Sequence, residues 1–500
     1  MLLTILGLIP ILGALAMCAP LGKQARQVGL AVSVATLAFA GYVVYAYLAG
    51  ESLVITVPWI PAFGAYWALG LDGMGLVMVV LTAILTPAVL VAEWGVPKKI
   101  GRWSARAFVG LILLLEGLCL FVFMANDVLL FYLLFEATLI PMYFLIGGFG
   151  GARRGYAAVK FLLFGLAGGL IMLVSVIGVY SWSASQGAPS YLISDLIALP
   201  DGSEYGWLLM ICFLIAFILK APMVPVHTWL PTAAEEATPG TSVLMVGVLD
   251  KIGTFGMIKI CVALFPVESQ IAAPVMIALA LISIVYGALA AIGSPNLLRL
   301  VAYTSVSHFG FMVLGIYSFT TAGTSGAIFY MVNHGFSTGA LFLVLGFLIS
   351  RRGSARVADY GGVQKVAPVL AGVLLLAGLS SLALPGMSSF VSEFMVMSAA
   401  WSRIPWVGAV AALGTVLAAV YILLMYQRTM TGPVAGEVAG LSDLTLRERV
   451  VSGGLVALML VLGFLPNIAL GVIEPTANAT QAVMQVAGVT DHQPEFGAEG

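Results

Sequence analysis

Ten ionisable side chains interrupt long apolar runs in this 500-residue sequence: Glu116, Glu136, Lys160, Lys220, Asp250, Lys251, Lys259, His308, His334 and Glu393. Carboxylates, lysines and histidines strung through apolar surroundings have the composition of a proton relay. Each charge placed unaided in the middle of a bilayer costs about 2.5–3.5 kcal/mol on insertion scales. Low dielectric disfavours the ionised form of an acid or base, and an ion pair restores it. Glu136 and Lys220 could therefore alternate between paired and unpaired states, capturing or releasing a proton. Histidines between such sites titrate near physiological pH and pass protons in either direction.

Each residue also has a plain structural reading. Lys160 and Lys259 lie close enough to the ends of their runs to snorkel towards an interface. Glu116 could be satisfied by a neighbouring hydroxyl, and His308 and His334 could be neutral core histidines. Asp127, in MANDVLLF, could cap the helix that follows it. Glu136, Lys220, Lys251 and Glu393 lie well inside their spans and cannot all be incidental, although Glu393 could also anchor its broken helix through hydrogen bonds. Lys220 stands roughly 20 Å along a helix starting at Trp207, taking 1.5 Å per residue.

The elements that must carry these residues follow from composition. The chain is 61% hydrophobic with a mean hydropathy of +1.09, and only 9% of it is charged, against roughly 25% in ordinary globular proteins. A water-soluble enzyme, a large extramembrane domain and a nucleic-acid binder are excluded, the last because 21 basic against 22 acidic residues leave a net charge of -1. Cys18, Cys119, Cys212 and Cys261 lie far apart inside apolar runs and read as small buried hydrophobes. The first run, Met1 to Pro20, lacks a preceding basic region and reads as a retained span. At about 20 residues per span the sequence divides into about fourteen transmembrane helices. The seventh (207–224) and twelfth (366–400) are irregular, the eighth covers 241–265 and the fourteenth 450–471.

Basic residues set the orientation. Lys23, Arg26, Lys98, Lys99, Arg102, Arg106, Arg153, Arg154, Arg299, Arg351, Arg352, Arg356, Lys365, Arg428, Arg447 and Arg449 all follow odd-numbered spans, and only Arg403 lies on the opposite side. The expectation is a multi-pass protein of a bacterial-type inner membrane, with basic loops in the cytoplasm and both termini outside. The segment 181–206 reads as a polar outer loop, and the tail after Pro475 as a frayed polar end.

Helix breakers stand beside the charges. Span seven reads FLIAFILKAPMVPVHTW, with Pro222 and Pro225 after Lys220, and span twelve reads GLSSLALPGMSSFVSEF, with Pro385–Gly386 before Glu393. Proline removes a backbone donor, and an interruption at membrane depth is tolerated only where protein or water satisfies it. Two interrupted spans, five apart, suggest two repeats of the kind found in secondary transporters.

At these segments the sequence resembles the antiporter-like subunits of respiratory complex I, a family shared with multisubunit sodium/proton antiporters. The matching strings are NDVLLFYLLFEATLIPMYFLIG, FLIAFILKAPMVPVHTWLP, RLVAYTSVSHFGFMVLGI, MVNHGFSTGALF and LPGMSSFVSEFMVM. The resemblance implies an all-α polytopic fold of about fourteen transmembrane helices, with two inverted five-helix repeats and broken helices seven and twelve. Helices one to three would occupy 1–106, the repeats 107–265 and 271–430, and helix fourteen with the tail 450–500. It also implies a role as one proton channel of a proton-translocating NADH:quinone oxidoreductase. Glu136 matches the family's carboxylate of helix five, Lys220 its lysine at the helix-seven break, Lys251 its central lysine of helix eight, and His308 and His334 its relay histidines. Glu393 stands at the terminal position of helix twelve, where glutamate marks the M-type branch. His227 and Lys160 also fall on family positions, and Glu116 is a further candidate.

Two features depart from the family pattern. The chain reads EEATPGTS before helix eight, shifting a proline, and Asp250 directly precedes Lys251 where an uncharged residue is usual. Adjacent helical positions point about 100° apart, so Asp250 need not pair with Lys251. No phosphate cradle, flavin site or metal cluster is encoded. NADH, FMN, iron–sulfur clusters and quinone are expected in partner subunits, with the L-type and N-type antiporter-like chains as membrane neighbours and the lipid bilayer as solvent. The rival readings are a sodium/proton antiporter subunit and the equivalent membrane module of a hydrogenase or F420H2 dehydrogenase.

Overall fold

The computed structural model describes residues 1–19, 22–95, 103–187, 189–199 and 205–488. Lys98, Lys99 and Arg102, part of the 181–206 loop and the last twelve residues lie outside the described residues. The chain begins with α1 (Leu2–Ala16) and α2 (Ala25–Leu48), a hairpin of β1 (Val54–Ile60) and β2 (Ala65–Gly70), then α3 (Gly73–Ala92) and α4 (Ala105–Met124). Next come α5 (Val128–Ala137) and α6 (Leu139–Phe149), separated only by Thr138, and α7 (Arg154–Ser185), α8 (Ile193–Ile197), α9 (Gly206–Lys220) and α10 (Trp229–Glu236). A continuous helical run follows: α11 (Pro239–Leu244), a π-helical turn (Met245–Leu249), α12 (Lys251–Gly256) and a second π-helical turn (Met257–Val262). The rest is α13 (Pro266–Ile292), α14 (Leu297–Ile316), α15 (Thr321–Arg352), α16 (Pro368–Ser381), α17 (Ser388–Arg403), α18 (Pro405–Met430), α19 (Leu446–Phe464) and α20 (Asn467–Val486).

Helices start where a short polar side chain precedes an apolar run. Asp72 accepts from Gly75 N at 2.6 Å, Asp127 from Leu130 N at 2.9 Å and Thr320 from Gly323 N at 3.0 Å, each satisfying an orphan backbone donor. Asp127 is thus a cap, and its other oxygen accepts Tyr66 N of the hairpin at 2.9 Å. Among the described residues, nine helices are long and apolar enough to cross a membrane, or ten counting the bent pair α19–α20. This is an all-helical, multi-pass membrane fold apart from the hairpin, which the sequence reading did not anticipate.

At its centre runs α15, buried along almost its whole length and packed against α3, α11, α14, α16, α17, α19 and α20. It carries a cluster of polar residues inside the bundle, with Asn333, His334, Ser337 and Thr338 all buried. Peripheral α7 shows the reverse, leaving Leu163, Leu170, Val174 and Ile177 exposed. Hydrocarbon is the outer solvent, so polar side chains are drawn inward.

The two interruptions fall at the prolines. After α9 the chain turns, and the indole Nε1 of Trp229 donates to the freed Leu219 carbonyl at 3.0 Å. Ser283 Oγ accepts Val224 N at 3.0 Å from α13. Between α16 and α17, Gly386 adopts φ 92°, a conformation that suits glycine. There Asn333 Nδ2 of α15 donates to Ser388 O at 2.9 Å. Backbone groups opened at depth thus find partners inside the protein.

The tail differs from its expected frayed state. Residues Ile473, Ala477, Gln481 and Met484 recur at helical spacing and are buried, so α20 continues well past Pro475 after a 65° bend from α19. Thr476 Oγ1 ties it to Gly73 N at 2.9 Å. Basic residues gather acids at one end of the bundle: Arg153 and Arg299 hold Glu235 and Glu236, and Arg351 holds Glu448 at 2.6 Å with little exposure of either side chain. Glu448 also completes a capping box with Thr445 at the start of α19. Breaking a buried pair by removing one partner typically costs about 3–5 kcal/mol. Arg351→Met and Glu448→Met should each lower the thermal unfolding midpoint of the solubilised protein markedly, and the double variant should lose less than the sum; additive losses would show that the pair does not couple.

Candidate functional site

A connected polar line runs from Lys251, near the end of the first half, through the second half of the bundle. Lys251, fully buried, opens α12 just after a π-helical turn, where the wider ladder leaves carbonyls open to side chains. Its Nζ donates to Val246 O at 2.6 Å and meets His334 Nδ1 at 2.5 Å, with the Phe309 ring 4.9 Å away. His334 on α15 lies 5.2 Å, ring to ring, from His308 on α14. His308 Nδ1 meets the Tyr330 hydroxyl at 2.5 Å, and that hydroxyl donates to Glu393 Oε2 at 2.8 Å. Thr415 of α18 donates to the other oxygen, Glu393 Oε1.

These bonds assign the proton positions. If Lys251 is an ammonium it has no acceptor, so His334 Nδ1 accepts and Nε2 carries the hydrogen. That Nε2 is buried and has no hydrogen-bond partner. Tyr330 gives its hydrogen to Glu393, so its oxygen accepts from His308 Nδ1–H. His308 Nε2 is then the acceptor, approached at 3.3 Å by both Ser381 Oγ and Tyr421 OH. A proton arriving at His308 Nε2 can leave from Nδ1 through Tyr330 to Glu393. The one unbonded link lies between the two imidazoles.

The first half is arranged differently. Lys220 ends α9, where its ammonium complements the negative end of the helix dipole. Its Nζ reaches Thr138 Oγ1 at 3.5 Å and lies 4.7 Å from the Phe135 ring centre. Glu136, one residue after Phe135, does not form an ion pair with it: the Glu136 carboxylate points at Gly169 of α7, and its buried Oε1 has no hydrogen-bond partner. Any Cβ at position 169 would lie 1.8 Å from that oxygen, so glycine there makes room for the carboxylate. The expected pair stands apart in this structure.

Other predicted residues divide. Lys160 does not reach the polar line; its Nζ donates to Thr228 O at 2.7 Å and Thr232 Oγ1 at 3.0 Å, bracing the chain after the α9 break. His227 is buried with both ring nitrogens unpartnered, packed edge-on to Tyr286 at 5.0 Å. Glu116 is also buried, beside the Thr86 hydroxyl, which itself donates to Thr82 O at 2.9 Å. Asp250, fully buried, has neither a hydrogen bond nor an ion pair to Lys251. The sequence reading missed Tyr330, Thr415, Ser381 and Tyr421, which complete the line. A signal existed for Tyr330 alone: it precedes His334 by four residues, one helical turn on the same face.

A sequence model described as "NADH:quinone oxidoreductase/Mrp antiporter, TM" matches residues 125–418. NADH-quinone oxidoreductase subunit M of Mycobacterium tuberculosis is 45% identical over 98% of this chain and 95% of its own length. In the structure of respiratory complex I from Thermus thermophilus with bound NADH, one chain superposes with a TM-score of 0.88 at 30% identity, over 96% of this chain and 99% of that one. A chain of the Mrp complex from Dietzia sp. shares the fold alone, with a TM-score of 0.85 at 21% identity over 97% of this chain and 98% of that one. With the family segment spanning both chain breaks and a subunit M relative matching almost end to end, the chain belongs to the NADH:quinone oxidoreductase/Mrp antiporter transmembrane family, in its subunit M branch.

Proposed function

We propose that this chain is a proton-conducting membrane subunit of a proton-translocating NADH:quinone oxidoreductase. The observation that carries the reading is the buried line Lys251–His334–His308–Tyr330–Glu393, in which acid and base groups succeed one another through the bundle. The kinship with subunit M supplies the redox context. NADH, FMN, iron–sulfur clusters and quinone belong to partner subunits, and this chain works as part of a translocase by moving protons.

In this reading the chain has fourteen spans. The long helices and the bent pair α19–α20 are joined by the shorter apolar α1, α9–α10 and α16–α17, and by the π-interrupted run from Pro239. Residues 107–265 and 271–430 form two inverted repeats, each with one broken helix. The basic loops face the cytoplasm, both termini face outside, and the neighbours are the L-type and N-type antiporter-like chains. The gathering of Arg153, Arg299, Glu235 and Glu236 at one end of the bundle supports a common side for those loops.

Glu136 and Lys220 form the inner switch, Lys251 the central station, His334 and His308 the relay, and Glu393 the group handling protons at the outer end. Transfer begins when Lys251 gives a proton to His334 Nδ1, leaving a neutral amine and releasing the Nε2 proton towards His308. His308 Nε2 gains it, Nδ1–H passes to Tyr330, and the tyrosine hydrogen passes to Glu393. Each group ends with the proton count at which it started once Lys251 is recharged and Glu393 discharges.

The test is NADH-driven proton uptake into liposomes containing the purified complex. Removing a positioned proton-transfer group should slow the step on the order of 100-fold. Lys251→Met should abolish most of the uptake in an assembled complex, and full uptake would end its assignment as the central station. Glu393→Gln keeps hydrogen bonding without a releasable proton and should pump poorly, whereas undiminished pumping would make Glu393 an anchor of α17. Tyr330→Phe removes one oxygen and should also uncouple His308 from Glu393; wild-type uptake in that variant would mean that protons bypass the hydroxyl.

A further inference from the structure

Asp250 is a fully buried carboxylate with neither oxygen hydrogen-bonded, next in the chain to Lys251 and on a turn that packs against the end of α9 that carries Lys220. Its position on the helix is fixed by its neighbours. Gly253, one turn further along, packs against the end of α9: a Cβ at 253 would lie 2.6 Å from both Phe217 O and Ala221 N, the backbone atoms that flank Lys220. Gly253 N donates to Asp250 O at 3.1 Å, so the two residues stack on one face. Lys251, the next residue, points away from that face to His334 on α15. That face turns Asp250 towards the end of α9 that carries Lys220. A helix crossing of this tightness needs no acid, and an aspartate buried without partners is costly to keep unless it serves.

We propose that Asp250 is a proton-transfer group linking Lys220 to Lys251, and so joins the Glu136–Lys220 site of the first half to the polar line of the second. The Lys220 ammonium gives one proton to an Asp250 oxygen, which leaves a neutral amine and a neutral carboxylic acid. The acid then protonates neutral Lys251, and the carboxylate is restored. The transferred proton is the only atom that changes place. The missing hydrogen bonds at both oxygens fit a group that contacts its two lysines in turn, and the π-helical turn that ends at Leu249 is the adjacent element able to adjust its height.

The proposal rests on the proton conduction argued above, so Lys251→Met serves as the parallel control in the same liposome assay. Asp250→Asn should assemble and pump on the order of 100-fold more slowly, and Asp250→Glu, which keeps the acid, should recover most of the rate. If the amide variant does not assemble, Asp250→Leu replaces it, since a leucine of similar size leaves no buried polar atom unpaired; an assembled leucine variant should show the same loss. Reaction-induced infrared difference spectra of the wild-type complex should contain a carboxylic C=O band that disappears in the amide or leucine variant and shifts in Asp250→Glu. A fixed counter-ion would give no such band, and its absence overturns the proposal. Full pumping by the amide or leucine variant alongside a dead Lys251→Met also overturns it, whereas full pumping by Lys251→Met would instead overturn the conduction on which it rests.

Discussion

Hydrocarbon offers no hydrogen bonds, and that single constraint orders the molecule. Any backbone or side-chain polar group at membrane depth must find its partner inside the protein or remain unsatisfied at a cost of several kcal/mol. The polar residues have therefore collected on α15 and on the helices that touch it. The surfaces of α7 and α18 carry Leu170, Ile177, Leu413 and Val416 outward. What is a core in a soluble protein is here a polar seam, and the apolar side chains around it isolate it from lipid.

The same constraint explains why the breaks and the ionisable residues coincide. A broken helix exposes carbonyls and N–H groups that need partners, and those partners are polar side chains on neighbouring helices. Trp229 closes on Leu219 O, Ser283 closes on Val224 N, and Asn333 braces the first turn of α17 at Ser388 O. Lys220 stands at the first break and Glu393 one turn beyond the second. Each break provides room and local polarity for a charge, and each charge lies where the backbone has already been opened. The π-helical turns before and after α12 do this on a smaller scale, giving Lys251 the carbonyl of Val246 to hold.

The two halves differ in how completely they are bonded. From Lys251 to Glu393 nearly every polar atom has a partner, and the hydrogen-bond directions agree with one another. One buried oxygen of Glu136 and both of Asp250 lack a hydrogen bond, and Lys220 has a long contact to Thr138 and the face of the Phe135 ring. A buried polar group without a partner costs about 1–3 kcal/mol, so the first half can leave this arrangement at little expense. A bonded wire fed by a loosely bonded switch is a sensible division for a conductor that must be gated.

Composition and spacing alone determined that the chain lies in a membrane, because its scarcity of charge leaves no other solvent. They also determined which residues were too costly to be incidental, and where the helices had to break, since proline cannot supply the missing donor. Local chemistry read Asp127 correctly as a cap. Other features were beyond reach for a physical reason: they depend on groups far apart in sequence meeting in space. Tyr330, Thr415 and Ser381 are ordinary residues until His308 and Glu393 arrive beside them from α14 and α17. Glu136 and Lys220 look like a pair in sequence, yet the carboxylate turns to Gly169 because α7 leaves a space there. Lys160 braces the α9 break, and Asp250 and Lys251, adjacent in the chain, face different helices. Which charges meet was decided by helix packing, because a helix fixes the direction of a side chain only relative to its own axis, and its neighbours decide what that direction encounters.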